Sequence, residues 1–385
     1  MFRGSPFHIV HNGNLVNCRV LRAELQKRGI WDVEGSDTRL VAELLSSSSG
    51  YDFEDALQET LHLLEGAFCF LILYQGKIYA VRDKFGFHPL QLAKFPHGWM
   101  VASESCVFPF DVEWIREINP GELVILNPDG FESRFWTESP GLKFDIFEYI
   151  YFLSPLSQVY GVRAELARER MGYYLALEHP REVEMVIPVH SSGTAIARGY
   201  YAQLKNMGFK VRWRDNILVR RGEGRTFILP RQEERINKIS KKFSVISEYL
   251  RGIRKVALID DSIVRGNTSK AIIALLKESA KKVNDIPGYE LQVEFLSGAP
   301  PYISPDIYGI DTYRKKEEIL LARLNYDIER AKEEIGADYL GYGRLDKVIQ
   351  AVLDLAPSGS PLSENSFYTG PFTGEYPAGI GDLEL

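Results

Sequence analysis

Cysteine is scarce in the 385-residue sequence: three residues, at positions 18, 69 and 106. They are too few and too scattered for a disulfide framework or a zinc knuckle. Long apolar runs are missing too, since none approaches the roughly 18 residues that a membrane-spanning helix requires. The opening, MFRGSPFHIVHNG, has no apolar signal core. The expected compartment is therefore the cytoplasm, with no membrane partner. Basic charge is not in excess, because 46 Lys and Arg stand against 52 Asp and Glu, a net charge of −6. Without a basic stripe to displace counterions from a phosphate backbone, nucleic acid is not an expected partner. What remains is ordinary: 45% hydrophobic and 25% charged residues suit a globular protein with ample core. At roughly 100 to 200 residues per domain, the length predicts two domains.

The pattern changes along the chain. AFCFLILY (67–74), KIYAVRD (77–83), GWMVASE (98–104) and GELVILN (121–127) are β-rich runs broken by turn residues, as in antiparallel hairpins. Ahead of them, NCRVLRAELQKRG and DTRLVAELL space apolar residues three and four apart, which predicts amphipathic helices covering that sheet. From about residue 145, apolar strands alternate with helices: VEMVIPV (183–189) leads into GTAIARGYYAQL, and KVALIDD (255–261) into TSKAIIALLKESAKK. That alternation predicts a parallel sheet covered on both faces. TESPGLKFD (137–145) marks the boundary, giving domains at 1–140 and 145–356 and a Ser-, Pro- and Gly-rich tail, 357–385, expected to be irregular. RKKEEILLARLNYDIERAKEE (314–334) carries both signs of charge at helical spacing and reads as a solvated helix. His11 reads as a packing or hydrogen-bonding residue, and Phe147 and Tyr149 as core.

The most informative stretch is VALIDDSIVRGNTSK (256–270). In an open α/β sheet ligands bind beyond the carboxyl ends of the strands, and Asp260 and Asp261 fall at such an end. They could hold vicinal sugar hydroxyls and a Mg²⁺ shell. Gly266, Thr268, Ser269 and the start of the next helix offer backbone N–H groups, hydroxyls and a helix dipole to a phosphate. Phosphate beside diol describes a 5-phosphoribosyl group. The bland alternative is that the two acids only cap the next helix.

The run resembles the phosphoribosyl-pyrophosphate (PRPP) signature of type I phosphoribosyltransferases. IFEYIYFLSP (146–155), GRTFILPRQEER (224–235), YGID (308–311), IGADYLGY (335–342) and FTGEYP (372–377), with HNGNL (11–15), SDT (36–38), VRDKFGFHPL (81–90) and VASES (101–105) upstream, resemble the glutamine PRPP amidotransferase family. The resemblance implies an α/β protein: a partial glutaminase-like domain of the N-terminal-nucleophile (αββα) type, then a type I phosphoribosyltransferase parallel-sheet domain. It implies a glycosyltransferase of de novo purine biosynthesis, in which ammonia displaces pyrophosphate from C1 of PRPP to give 5-phosphoribosylamine. By the same resemblance, Asn12 and Gly13 correspond to the oxyanion hole and Asp37 to the acid on the glutamine α-amino group. Asp260 and Asp261 correspond to the Mg²⁺ and ribose ligands, and Arg265, Gly266, Asn267, Thr268 and Ser269 to the 5′-phosphate loop. Ser192, in PVHSSG (188–193), corresponds to the hydroxyl near Mg²⁺, and Arg221 to a cation of the closing loop. Purine nucleotide effectors and a homo-oligomer are expected with them.

Three departures shape the expectation. The family's nucleophile is a cysteine at the mature N-terminus with its own α-amino group as base, whereas this chain begins Met-Phe-Arg. The first domain is thus expected to be N-terminally truncated and to lack its nucleophile, with ammonia rather than glutamine as donor unless a missing segment is supplied. A gene start placed too late would explain the same feature. His190 and Ser191, and VRRG (219–222), depart from the family's pyrophosphate and closing loops, which keeps a non-catalytic PRPP- or nucleotide-binding paralogue as the rival. Finally, Asp145, Asp306, Phe367 and Pro371 stand at or near the cysteines that hold an iron–sulfur cluster in some members, so no cluster is expected.

Overall fold

The computed structural model describes residues 1–31, 33–220, 243–309, 312 and 317–384. The first unit contains β1 (Phe7–Leu15), α1 (Cys18–Lys27), α2 (Asp37–Ser46), α3 (Phe53–Leu61), β2 (Gly66–Tyr74), β3 (Lys77–Arg82), β4 (Gln91–Phe95), β5 (Gly98–Ala102), β6 (Trp114–Glu117), β7 (Glu122–Asn127) and β8 (Gly130–Phe135). Five strands form an antiparallel sheet in the order β1-β2-β3-β7-β8. The helices lay Leu21, Leu25, Leu40, Leu44, Leu57 and Leu61 against Phe68, Phe70 and Ile72 on one face of it. Burying each leucine contributes roughly 1.5–3 kcal/mol, so this layer is the unit's main source of cohesion. A second sheet, β5-β4-β6, covers the other face across Cys69, Ala80, Leu92, Ile118 and Val124.

The second unit runs through β9 (Phe144–Asp145), β10 (Gln158–Val159), β11 (Val162–Arg163), α4 (Ala164–Glu178), β12 (Met185–Pro188), α5 (Thr194–Asn206), β13 (Arg212–Trp213), β14 (Leu218–Arg220), β15 (Phe243–Val245), β16 (Lys255–Asp260), α6 (Asn267–Val283), β17 (Gln292–Ser297), α7 (Leu320–Arg323), α8 (Ile328–Ile335), β18 (Tyr339–Tyr342), α9 (Leu345–Leu353), β19 (Phe367–Tyr368) and α10 (Gly370–Thr373). Its main sheet is parallel, in the order β13-β12-β16-β17-β18. Val256 to Asp260 of β16 are all buried, which is why that strand reads as an unbroken apolar run rather than an alternating one.

The closest packing joins α4 and α5 through two glycines. A Cβ on Gly172 would lie 1.9 Å from the Ile196 carbonyl oxygen, and one on Gly199 would lie 1.9 Å from that of Glu169. Gly172→Ala must push the helices apart and is expected to lower stability by about 1–3 kcal/mol or more, as overpacked cores do. A melting temperature within a degree of wild type would show that the helices separate at no cost.

Two expectations are corrected. Residues 314–334 are not one solvated helix: among the described residues they form α7 and α8, with Asn325 and Tyr326 between them at φ +54° and +63°. Leu320 and Leu321 turn into the core, and Asp327 caps α8 by accepting the Arg330 N–H. The tail is not irregular throughout either. Its β19 pairs in parallel with β9, Tyr368 opposite Asp145. Beyond it, the Tyr376 hydroxyl donates to the Pro305 carbonyl and the Asp382 N–H to the Val16 carbonyl. The segment thereby straps the second unit to the first.

His88 is a further buried link between the units. Its Nδ1 lies 2.9 Å from Glu148 Oε1 and its Nε2 2.9 Å from the Tyr308 carbonyl oxygen. Burial alone would lower its pKa, but the Glu148 carboxylate outweighs burial and brings it to about 9. A folded-state value above the unfolded one of about 6.5 means a contribution fully present below that lower pH and lost as pH rises through 9. The contribution is on the order of 3 kcal/mol. Melting temperature should therefore fall between pH 7 and 9.5, and a His88→Gln variant with the same slope would refute the assignment.

Candidate functional site

β16 ends in two neighbouring acids. The Asp261 N–H donates to Asp260 Oδ1 at 2.9 Å, the Ser262 hydroxyl to Asp261 Oδ2 at 2.7 Å, and the Ser192 hydroxyl to Asp260 Oδ1 at 3.4 Å. Asp260 and Asp261 are each 6% exposed. Burial and then the Asp261 charge push the Asp260 carboxyl well above its ordinary range. The chain next reaches Gly266, whose φ of +77° is left-handed and opens α6 without a side-chain cap. Such a start leaves backbone N–H groups available to an anion.

These residues line one cavity of about 550 Å³ with Ser192, Arg265, Asn267, Thr268 and Ser269. Among the described residues lining it, the one guanidinium, Arg265, is ion-paired with Glu318, so the acids face no free cation. Hard carboxylate and hydroxyl oxygens of this kind suit Mg²⁺, which takes one or two carboxylates and fills its shell with water and substrate phosphate. No group of three or more His, Cys, Asp or Glu that could hold a metal occurs among the described residues. Among the described residues, Asp260, Asp261 and Ser192 are those that would hold Mg²⁺. His190 also lines the cavity, its Nδ1 3.2 Å from the Thr194 hydroxyl and its Nε2 against the Asp215 carbonyl. Arg221 lies outside the described residues. Phe147, buried in the core as expected, also borders this cavity.

The first-unit residues meet along β1 but line two cavities: Asp37 accepts the Leu15 N–H at 3.1 Å and lies 3.6 Å from His11, so it contacts the strand on either side of Asn12 and Gly13. Asn12 lines a cavity of about 180 Å³ with His88, Glu104, Glu148 and Gly309. Asp37 lines another, of about 690 Å³, with Asn14, Cys18, Arg22 and Asp382. Burial pushes the Asp37 carboxyl up, but His11 and the N–H groups of Leu15 and Thr38 outweigh it and hold the carboxyl below its ordinary value. His11 also meets the Thr38 hydroxyl at 3.2 Å, which is the hydrogen-bonding role expected of it. At Gly13 a Cβ would lie 2.2 Å from the Ala67 carbonyl oxygen, so close strand packing demands glycine there whatever else the residue does. The ladder also sets Cys69 directly opposite Asn12, a pairing invisible without the register.

A family sequence model described as a glutamine amidotransferase domain matches residues 1–109. The amidophosphoribosyltransferase of Staphylococcus epidermidis is 34% identical over 379 residues, covering 98% of this chain and 72% of its own. That of Bacillus subtilis is 32% identical over 376 residues, covering 97% and 74%. The chain belongs to the amidophosphoribosyltransferase family. Among solved structures, the glutamine PRPP amidotransferase of B. subtilis, complexed with ADP and GMP, superimposes with a TM-score of 0.85 at 31% identity, over 100% of this chain and 80% of that one. A second, described as the allosteric regulatory enzyme of purine biosynthesis, gives 0.85 at 30%, over 99% and 77%. The fold is therefore that of the amidophosphoribosyltransferases, an amidotransferase domain followed by a parallel-sheet phosphoribosyltransferase domain. One expectation is corrected: the amidotransferase match begins at residue 1, so an N-terminally truncated first domain is not supported. The four positions associated with cluster cysteines do meet in space. Asp145 pairs with Tyr368 beside Phe367, the Tyr368 hydroxyl donates to Asp306 at 3.2 Å, and the Pro371 carbonyl accepts from Ile303 and Ser304.

Proposed function

We propose that this chain makes 5-phosphoribosylamine and pyrophosphate from PRPP and ammonia, and that glutamine does not serve it as nitrogen donor. The carrying observation is the Asp260–Asp261 pair at the carboxyl end of β16, in one cavity with left-handed Gly266 and the amino end of α6. The paired acids suit the ribose hydroxyls and the helix start suits the 5′-phosphate. As the C1–N bond forms from the ammonia lone pair, the C1–O bond breaks and its electron pair leaves with pyrophosphate. The added nitrogen then gives one proton to solvent. Positive charge grows on the ribose ring in that step, so the nearby carboxylates favour the transition state over the ground state. Asp260, Asp261 and Ser192 are the residues that would hold Mg²⁺, which when bound neutralises charge on the leaving pyrophosphate. No iron–sulfur cluster belongs to this reading, because Asp145, Asp306, Phe367 and Pro371 supply no thiolate. Purine nucleotides as effectors fit it, supported by the ADP and GMP carried by the B. subtilis relative.

A calorimetric titration with Mg–PRPP and an assay of pyrophosphate release with ammonium chloride test the proposal together. Binding with turnover is expected. Binding without turnover would favour the non-catalytic sensor, and absence of both would remove the reading.

A further inference from the structure

We infer that Glu318 is a positioning residue of the phosphate cradle, setting the Arg265 guanidinium against the 5′-phosphate; the inference rests on the PRPP reading above. Three successive loop residues are gripped by one short segment. The Val264 carbonyl accepts the Leu320 N–H at 2.9 Å. Gly266 sits so close that a Cβ there would lie 3.0 Å from Leu320 Cδ2, and Leu320 is buried in the core that also holds Ile263 and Ile272. Both neighbours of Arg265 are thereby fixed to residue 320. Its backbone is held while its long side chain keeps its rotamer freedom, and Glu318 removes that freedom: Oε2 lies 2.9 Å from Arg265 Nε.

The chemistry of the group says what the contact is for. A guanidinium offers its donors on distinct edges, one including Nε and one formed by the two Nη groups. A carboxylate at Nε leaves the Nη edge for a second acceptor, and forked recognition of phosphate uses such an edge. As a stabilising pair the contact matters little, since both side chains are partly exposed, 37% and 26%, and such pairs contribute about 0–1 kcal/mol. Its value lies in orientation. The carboxylate also cancels the guanidinium charge, so the cradle relies on directed N–H groups rather than on a loose cation.

The test compares wild type with Glu318→Ala, Glu318→Gln, Arg265→Ala and the Glu318→Ala/Arg265→Ala double variant. Mg–PRPP affinity is read by calorimetry, and KM and kcat with ammonium as donor. Glu318→Ala is expected to weaken binding about fivefold, because an untethered Arg265 must give up its rotamer freedom on binding. KM should rise with it while kcat stays within about twofold, the pattern of lost uniform binding. Glu318→Gln keeps an acceptor oxygen and should recover most of the loss. The double variant should bind no more weakly than Arg265→Ala, because coupled residues are not additive. Unchanged or tighter binding in Glu318→Ala, or losses that add in the double variant, would overturn the inference alone. Wild-type protein that does not bind Mg–PRPP would overturn the PRPP reading and this inference with it.

Discussion

Replacing Asp260 and Asp261 together by Asn is expected to weaken Mg–PRPP binding by at least tenfold while the protein stays folded. Each acid sits 6% exposed at the end of β16, and charge-assisted bonds to a hard cation or a ribose hydroxyl contribute roughly 1.5–3 kcal/mol apiece. Two such losses could reach a hundredfold or more. Stability should move the other way. Burial and the Asp261 charge hold the Asp260 carboxyl well above its ordinary range, so the free protein is strained by a pair that a cation or a diol would relieve. Removing both charges relieves that strain, and the melting temperature should stay level or rise. This opposition of binding and stability distinguishes the site from the bland reading in which the acids only cap α6. Gly266, not an aspartate, is the residue at that cap, and no side-chain cap bond is made. Unchanged calorimetric affinity in a folded double variant would remove the central functional claim.

The parts that were legible in the sequence are those written in local chemistry. β16 shows itself because a strand buried on both faces is a continuous apolar run, and the cradle because its acids, left-handed glycine and helix start are consecutive. α1 and α2 show the period of their buried faces, whereas β2, β3 and β7, buried over most of their length, show as β-rich runs between turn residues. Contacts between distant segments were not legible. β1 alternates only weakly, its outer face carrying Val10 at 61% exposed, so HNGNL reads as a motif before it reads as a strand. The pairing of Asn12 with Cys69 depends on register, the Arg265–Glu318 contact spans more than fifty positions, and the strap at 376–384 reaches back to Val16. Composition misled at the tail, where Ser, Pro and Gly suggest looseness although Phe367, Tyr368 and Phe372 are buried. In 314–334 the charge pattern hid Leu320 and Leu321, and an Asn-Tyr-Asp turn divides what periodicity would join.

With the purified 385-residue chain, pyrophosphate release should appear with ammonium salts and PRPP, and glutamine should not replace ammonium at any concentration. Glutamine hydrolysis needs a thiolate, a base beside it and an oxyanion hole in one place. Cys69 stands opposite Asn12, but burial pushes its thiol far up, and its Sγ donates to the carbonyls of His88 and Pro89. A buried protonated thiol is a poor nucleophile. Cys18 lines the cavity that holds Asp37, whereas Asn12 faces a different cavity, and Cys106 lines neither. On the proposed reading, oxyanion donors without a nucleophile would retain about 10³–10⁴ over water, far below what an ordinary glutaminase assay detects. Ammonia asks nothing of that domain, so the ammonium-dependent rate should rise with pH as more of the nitrogen is unprotonated, until the enzyme's own titrations intervene. Cys18→Ala and Cys69→Ala should leave that rate unchanged. PRPP-dependent release of glutamate from glutamine would refute this account. Its loss in Cys18→Ala would place the nucleophile in the Asp37 cavity, and its loss in Cys69→Ala would place it beside Asn12, against the chemistry of a thiol held protonated there.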